Sequence, residues 1–181
     1  MRILKNCVPG DFFVGHGCGE SNHGIHAGSF DAAMIECGIE DYNLLAYSSI
    51  LPKGSKKVDP PKNNIHGEVL HTILACSSTK DSSDKQRLTA GIAIVKVVGE
   101  DGEELGGLVA EYSGNAPPED AEKLLREHLT EMFETRKAIR DKYKNAKISE
   151  IKIMGMQSFI PTKAFGTAMV VMGFVNHARE E

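Results

Sequence analysis

Short runs of apolar residues recur along most of the chain and predict β-strands. The run 88–98 is dense in Ile, Val and Ala, and the run 105–112 follows it after the turn Glu100-Asp101-Gly102. Two apolar runs joined by so short a polar turn predict an antiparallel hairpin. The same pattern predicts further strands within 43–52, 68–76, 148–156 and 168–175.

Two segments carry the apolar spacing of amphipathic helices. Pro117 and Pro118 open the longer one, whose apolar residues fall on one stripe opposite the charges. That stripe consists of Ala121, Leu124, Leu125, Leu129, Met132, Phe133, Ile139 and Tyr143. The shorter helix has Ser29 as its predicted N-cap and Gly38 as its stop, which would place Asp31 in the first turn.

These strands and helices predict an α/β fold. We expect a four-layer αββα sandwich of mainly antiparallel sheets, with the helices covering the outer faces. A chain of 181 residues is long enough for one well-packed domain and too short for two large ones. No repeat, linker or low-complexity segment divides it, so residues 1–181 are predicted to form a single domain.

Polar and glycine-rich segments predict the loops. Glycines are so frequent over 15–26 that we expect an irregular loop there. The segment 53–64 is rich in Lys, Pro, Gly and Asn, and 77–85 is polar throughout, so both are predicted surface connections.

Composition narrows the class of protein. Charged residues make up 25% of the chain, apolar residues 41%, and the net charge is -4, as in an ordinary soluble globular protein. A mildly acidic chain without a clustered basic surface argues against nucleic acid as a partner. No apolar run approaches the roughly 20 residues of a membrane helix, and the start 1–5 lacks a signal-peptide core, so we expect no membrane association and a cytoplasmic protein.

The cysteines and histidines were weighed as metal ligands. Cys7, Cys18, Cys37 and Cys76 show no C-x-x-C spacing, which favours reduced thiols over disulfides or a closed zinc site. A second hypothesis takes His16, Cys18, His23 and His26 as zinc ligands, but their spacing fits no closed pattern. His66 and His71 are five residues apart, whereas the helical metalloprotease motif needs four, so that motif is excluded.

The stretch 43–52, Asn-Leu-Leu-Ala-Tyr-Ser-Ser-Ile-Leu-Pro, stands apart from the other serine pairs. Ser48 and Ser49 have apolar residues on both sides, and Pro52 ends the predicted strand just behind them. The pairs at 77–78 and 82–83 lie instead in a predicted polar loop. We therefore expect the Ser48–Ser49 peptide at or near a strand terminus, where backbone strain is tolerated.

This decapeptide resembles the self-processing site of the pyruvoyl-dependent arginine decarboxylases, and the resemblance extends over 12–52 and to the strand carrying Glu111. It implies that the Ser49 hydroxyl attacks the Ser48 carbonyl, giving an ester that eliminates. Residues 1–48 would become a β chain, and 49–181 an α chain that begins with a pyruvoyl group. That group would serve as electron sink in place of pyridoxal phosphate (PLP), and no metal is implied.

The resemblance also implies a reaction and roles for four residues. The reaction is decarboxylation of L-arginine to agmatine and CO2 through a Schiff base. Asn43 matches the donor to the oxyanion of self-cleavage, and Glu111 matches the general acid that protonates the α-carbon. Asp31 matches the carboxylate that binds the guanidinium, and Ile50 is a further substrate-binding residue.

Three of these residues also have a purely structural interpretation. Asn43 is typical of a strand-start residue that bonds backbone, Glu111 of a glutamate on an edge strand, and Asp31 of an acid near a helix N-terminus. The basic residues Lys53 and Lys56 depart from what a cationic substrate favours. Decarboxylation of another amino acid therefore stays an alternative.

The predictions of oligomeric state and metabolic pathway rest only on the resemblance to the family. The resemblance implies a homotrimer, or a hexamer made of two trimers, with each site formed between neighbouring subunits. A second alternative is an uncleaved, non-catalytic trimer that binds a ligand at the subunit boundary. The sequence leaves open whether agmatine would feed polyamine synthesis or acid resistance.

Overall fold

Strands dominate the computed structural model, which describes residues 7–23, 27–79, 81, 83 and 85–179. In chain order the elements are β1 (Cys7–Pro9), β2 (Phe12–Ser21), α1 (Ala27–Cys37), β3 (Asn43–Ala46), β4 (Ile50–Leu51), β5 (Val69–Ser78), β6 (Leu88–Val98), β7 (Glu104–Gly114), α2 (Pro118–Ile139), a 3-10 helix (Asp141–Tyr143), β8 (Lys147–Ile148), β9 (Lys152–Phe159), β10 (Phe165–Phe174) and β11 (His177–Arg179). The predicted mixed α/β class is confirmed. Neither α-helix within these ranges has the length and apolarity to span a membrane.

One sheet has the strand order β2-β10-β5-β3. β10 pairs antiparallel with both β2 and β5, whereas β3 runs parallel to β5 with Asn43 opposite Val69. β3 is an edge strand, and the chain leaves this sheet directly after it. The short strands β1 and β11 pair separately with each other.

The other sheet has the order β4-β7-β6-β8, and β9 also pairs with β6. β6 and β7 form the predicted antiparallel hairpin. Gly102 in its turn has a φ of +83° and donates its N–H to the Gly99 carbonyl, a conformation that glycine adopts at little cost. β4 has only two residues, and it pairs with β7 at Leu108 and Gly107.

Three apolar cores hold these elements together. The first takes side chains from both sheets, among them Phe12, Ile73 and Val109. The second joins α1 to the sheet of β2 and β10, and the third joins α2 to the sheet of β6 and β7. Each helix therefore packs on a different sheet, and the two sheets pack on each other.

The glycine-rich segment is a strand, so the loop predicted over 15–26 is wrong for residues 15–21. Its glycines alternate along β2 and face α1. A Cβ at Gly15, Gly17 or Gly19 would lie 2.8, 2.8 or 2.0 Å from a backbone carbonyl oxygen of that helix. The glycines therefore let α1 lie directly on the strand.

The start of α1 differs from the prediction. The helix begins at Ala27, so Ser29 is inside it and Asp31 is its fifth residue, beyond the first turn. Ser29 is fully buried, and its hydroxyl bonds the hydroxyl of Thr167 at 2.9 Å. Gly38 ends the helix as predicted, with a φ of +71° and with the N–H of Ile39 bonded to the Met34 carbonyl.

The long helix is confirmed, with corrections to its apolar stripe. α2 buries Ala121, Leu125, Leu129 and Phe133, while Leu124 and Ile139 are exposed and Tyr143 belongs to the following 3-10 helix. The single strand predicted over 148–156 is divided into β8 and β9. The pair 77–78, predicted to lie in a loop, is the end of β5.

Candidate functional site

The Ser48–Ser49 peptide lies where the chain passes from one sheet to the other. The Tyr47 N–H donates to the Thr72 carbonyl of β5 at 2.7 Å, which continues the pairing of β3. Two residues later, the Ser49 carbonyl accepts the N–H of Val109 in β7 at 3.1 Å. The peptide between the two serines is therefore anchored to a different sheet on each side.

The Ser48 carbonyl is held in a tight turn. It accepts the N–H of Ile50 at 2.6 Å, so Ser49 is the central residue of a three-residue turn. Non-glycine residues with positive φ are absent from the described ranges, so this turn is of the common inverse type. The Ile50 N–H polarises the Ser48 carbonyl carbon and makes it more susceptible to attack by a nucleophile.

The Ser49 hydroxyl contacts Glu111. Its Oγ donates to the carboxylate, with distances of 2.9 and 2.8 Å to Oε1 and Oε2. The antiparallel register pairs Ile50 with Leu108, so Ser49 lies opposite Val109, and Glu111 follows two residues further on the same face of β7. The short strand β4 is thus what brings the two side chains together.

The surroundings of Glu111 favour its protonated form. Burial raises the pKa of its carboxyl, against the lowering effects of the Ser49 hydrogen bond and of His128. Glu111 and His128 line a small cavity of about 230 Å³ with Tyr112, Leu124 and Leu125. His128 lies on the exposed side of α2, and no local sequence pattern distinguishes it from the other polar residues there.

Aromatic side chains pack just before the serine pair. The Tyr47 hydroxyl bonds Nδ1 of His71, and the rings of His71 and His177 are 4.5 Å apart. Tyr47 also packs 5.9 Å from the ring of Phe174. Burial, followed by the effect of His71, lowers the pKa of His177. These contacts fix the residue that precedes Ser48, and they join strands too distant in sequence for the pattern to have predicted them.

The side chains of Asn43, Ile50 and Asp31 take no part in the hydrogen bonds between Ser49 and Glu111. The Asn43 amide donates to the Gly67 carbonyl at 2.9 Å, which closes the loop before β5. The Ile50 side chain is 46% exposed. Asp31 is exposed on α1, and within the described ranges no hydrogen bond or ion pair joins it to Ser49 or Glu111.

The described residues among the candidate zinc ligands do not gather into a site. His16 bonds the Gln157 side chain at 3.1 Å, and burial raises the pKa of the Cys18 thiol to about 11. His26 lies outside the described residues. Among those that are described, no three His, Cys, Asp or Glu side chains are grouped to hold a metal ion, and all four cysteines are free thiols.

Comparison with known proteins gives one consistent result. The family model described as pyruvoyl-dependent arginine decarboxylase matches residues 11–179. A pyruvoyl-dependent arginine decarboxylase of Pyrococcus abyssi is 32% identical over 151 residues, which are 82% of this chain and 87% of the relative. The pyruvoyl-dependent arginine decarboxylase AaxB of Chlamydia pneumoniae is 29% identical over 178 residues, covering 91% of this chain and 90% of the relative.

Proposed function

The chain belongs to the pyruvoyl-dependent arginine decarboxylase family, whose members are carbon–carbon lyases, and we propose that it cleaves itself between Ser48 and Ser49 and then converts L-arginine to agmatine and CO2. The contact of the Ser49 hydroxyl with the Glu111 carboxylate, at 2.8 and 2.9 Å, carries this proposal. The packing of each helix on its own sheet also supports the four-layer αββα arrangement expected for the fold.

Self-cleavage begins with an attack by Ser49 Oγ on the Ser48 carbonyl carbon. The new C–O bond forms as the hydroxyl proton passes to Glu111. The C–N bond between the residues then breaks as Glu111 returns that proton to the nitrogen of residue 49, which leaves an ester and a free amine. Elimination across the Cα and Cβ of residue 49 releases residues 1–48 with a free carboxylate. Hydrolysis of the resulting dehydroalanine by one water gives the pyruvoyl group and ammonia.

Glu111 suits the role of proton acceptor in that first step. Its carboxylate already accepts the proton that must leave Ser49. Burial raises the pKa of Glu111, which makes its ionised form a stronger base than an exposed glutamate. The Ile50 N–H, bonded to the Ser48 carbonyl at 2.6 Å, can stabilise the oxyanion that develops there.

The role of Asn43 as donor to the oxyanion stays a prediction, and its observed hydrogen bond supports a second role. Because its amide is bonded to Gly67, Asn43 supports the start of β3, and β3 in turn positions the residues that lead to Ser48. Loss of that bond would loosen the strand before the scissile peptide. We therefore propose Asn43 as a residue that positions the cleavage segment.

Glu111 has a second role after cleavage. A pyruvoyl group at residue 49 supplies a ketone that conjugates with the substrate nitrogen and accepts electrons as CO2 departs. Glu111 lies beside that residue, and burial raises its pKa, so it holds a proton to higher pH than an exposed glutamate and can return that proton to the α-carbon. One carboxyl group would then serve as base during cleavage and as acid during turnover.

Substrate recognition is proposed to involve more than one subunit. Asp31, the predicted partner of the guanidinium, is exposed on α1 and makes no contact with Ser49 in its own chain. Both observations would be explained if the Asp31 carboxylate reached the active site of a neighbouring copy of the chain. This supports a trimer, or a hexamer of two trimers, in which Asp31 and Ile50 contact arginine at a subunit boundary.

The intact mass of the purified protein tests the cleavage. We expect two chains under denaturing conditions, 1–48 and 49–181, the larger one lighter by one ammonia than a simple hydrolysis product. Ser49→Ala should stay uncut and inactive, whereas Ser48→Ala, which keeps the attacked carbonyl, should still be cut. Turnover by uncut protein, or by Ser49→Ala, would contradict the mechanism and favour the uncleaved ligand-binding alternative.

A further inference from the structure

A separate cavity of about 640 Å³ is lined in part by Leu51 of β4. Four lysines line it, Lys56, Lys57, Lys96 and Lys152, together with a single acid, Glu150. Its apolar wall includes Phe12, Leu51 and Met154. Neither serine of the cleavage segment lines this lysine cavity, nor does Glu111, so it is distinct from the candidate active site.

Most of the positive charge in the lysine cavity is unpaired. Lys96 bonds Glu104 at 2.6 Å. Within the described ranges, Lys56, Lys57 and Lys152 form no ion pair. Three exposed cations facing one shared cavity repel each other, and an anion placed between them would relieve that repulsion.

A buried hydroxyl group faces the same cavity. Ser55 is only 4% exposed, and its Oγ has no hydrogen-bond partner in the described part of the chain. Buried polar side chains without a partner are rare in folded proteins because the lost hydration is costly. Because the Oγ is itself shielded from solvent, a rotation of the Ser55 side chain would bring it to a ligand oxygen in the lysine cavity and give it the missing partner.

Hydrogen bonds hold the loop that carries these residues. The Glu104 carboxylate accepts the Gly54 N–H at 2.9 Å in addition to its bond with Lys96. The Lys56 carbonyl accepts the Phe12 N–H at 3.0 Å, and the Lys56 N–H donates to Asp11 at 3.0 Å. Ser55, Lys56 and Lys57 therefore project from a loop whose backbone is already held in place, which lowers the entropy cost of binding.

We infer that the lysine cavity binds a small organic anion, a phosphate monoester or a carboxylate, whose apolar part lies against Phe12, Leu51 and Met154. The anionic group interacts with Lys56, Lys57 and Lys152 and accepts a hydrogen bond from Ser55. Phosphate and carboxylate share this chemistry, and direct comparison of the two distinguishes them.

Calorimetric titration at low ionic strength tests the inference with phenyl phosphate, phenylacetate and the neutral control benzyl alcohol. We expect both anions to bind at least about tenfold more tightly than the alcohol, and their affinities to fall as salt is added. The anion with the higher affinity identifies the preferred headgroup. Equal binding of the alcohol, or no binding of either anion, would overturn the proposal.

Variants locate the binding site. Lys152→Gln and Lys56→Gln should each weaken binding of the preferred anion about three- to tenfold. Ser55→Ala should weaken it while leaving the protein at least as stable, because the mutation removes an unbonded hydroxyl. Lys62→Gln is the matched control, since Lys62 is exposed on the same loop but does not line the cavity. An equal loss of affinity in Lys62→Gln would show that binding reflects overall charge and would refute the site.

This inference does not depend on self-cleavage. None of the three probes has an amine, so none can condense with a ketone at residue 49. The titrations are repeated on Ser49→Ala protein, for which we expect the same affinity. A failure of the cleavage mechanism would therefore leave the binding result intact, and a failure of binding would leave the mechanism intact.

Discussion

The replacement of Gly19 by alanine tests the contact between β2 and α1. A Cβ on Gly19 would lie 2.0 Å from the Ser29 carbonyl oxygen and 2.5 Å from the Ala33 nitrogen. Both are backbone atoms, so no side-chain rotation relieves the overlap. Since real Cβ contacts essentially never fall under 3.0 Å, α1 must move away from the strand by about 1 Å (3.0 minus 2.0).

The expected loss in the free energy of unfolding follows from the contacts that α1 makes. Overpacking of a well-packed core typically costs about 1–3 kcal/mol. The shift also strains the buried bond between Ser29 and Thr167, worth about 1 kcal/mol. We therefore expect Gly19→Ala to lower the free energy of unfolding by about 2–4 kcal/mol, which for a domain of this size lowers Tm by roughly 5–15 °C.

Urea unfolding followed by circular dichroism measures this change. Gly28→Ala is the matched control because it lies in the same helix, and its Cβ would meet only side-chain atoms of Ser21, Oγ at 2.8 Å and Cβ at 3.1 Å, rather than backbone of another element. Better helix propensity offsets that contact, so the control should stay within about 1 kcal/mol of wild type. A Gly19→Ala protein as stable as the control would refute the claim that glycine is needed for the helix to approach.

Other predictions concern the site and the core. Glu111→Gln should be cut more slowly than wild type, because an amide oxygen can accept a hydrogen bond from Ser49 but cannot take its proton, and the decarboxylation rate of the cut protein should fall about 10²–10⁴-fold; an unchanged decarboxylation rate would exclude Glu111 as the acid. Because burial raises the Glu111 pKa, the folded state holds that proton more tightly than the unfolded state, so wild type loses stability as pH rises through the folded pKa. Urea unfolding should then show Glu111→Gln gaining stability over wild type from about pH 4 to pH 8, and a pH-independent difference would contradict this. Asp31→Ala should be cut and should lose its preference for arginine over lysine in kcat/KM, whereas Glu40→Ala, also exposed, should keep it. Leu129→Ala, at a fully buried position of α2, should cost about 2–5 kcal/mol in urea unfolding, and a cost under 1 kcal/mol would contradict the assigned core.

Local periodicity was sufficient to predict some elements. The stripe along α2 repeats at helical spacing because one face packs on the sheet, and its buried members Leu125, Leu129 and Phe133 were all predicted. The hairpin of β6 and β7 was predicted because its turn needs glycine at a left-handed φ. In both cases the determining contacts are close in sequence or repeat with a fixed period.

The loop predicted over 15–21 is wrong because frequent glycine is typical of strands that another element approaches closely as well as of irregular backbone. Gly15, Gly17 and Gly19 recur every second residue, which is the period of one strand face. Three small residues on one face indicate a strand against which another element packs closely. That spacing was visible in the sequence, although the helix that uses it could only be identified from the structure.

The candidate site shows the limit of local patterns. Ser49 and Glu111 are 62 residues apart in sequence, and only the family resemblance suggested them as partners. The bond of Asn43 to Gly67 depends on a loop that closes only when β3 and β5 are paired. His71 and His128 were missed because an isolated histidine on a strand or helix has no distinguishing neighbours.

The position of Ser48 between the two sheets explains how the fold can tolerate a cut at this peptide. Residues 1–48 include β2 and β3, which flank β10 and β5 of the remaining chain. The β2–β10 ladder alone pairs ten residues on each strand, from Phe12 opposite Phe174 to Ser21 opposite Phe165. On the other side, Val109 holds the Ser49 carbonyl. Within the described ranges no ladder includes the Ser48–Ser49 peptide, so under the proposed cleavage the new chain end at residue 49 would stay beside Glu111, where the same carboxyl group could act again in turnover.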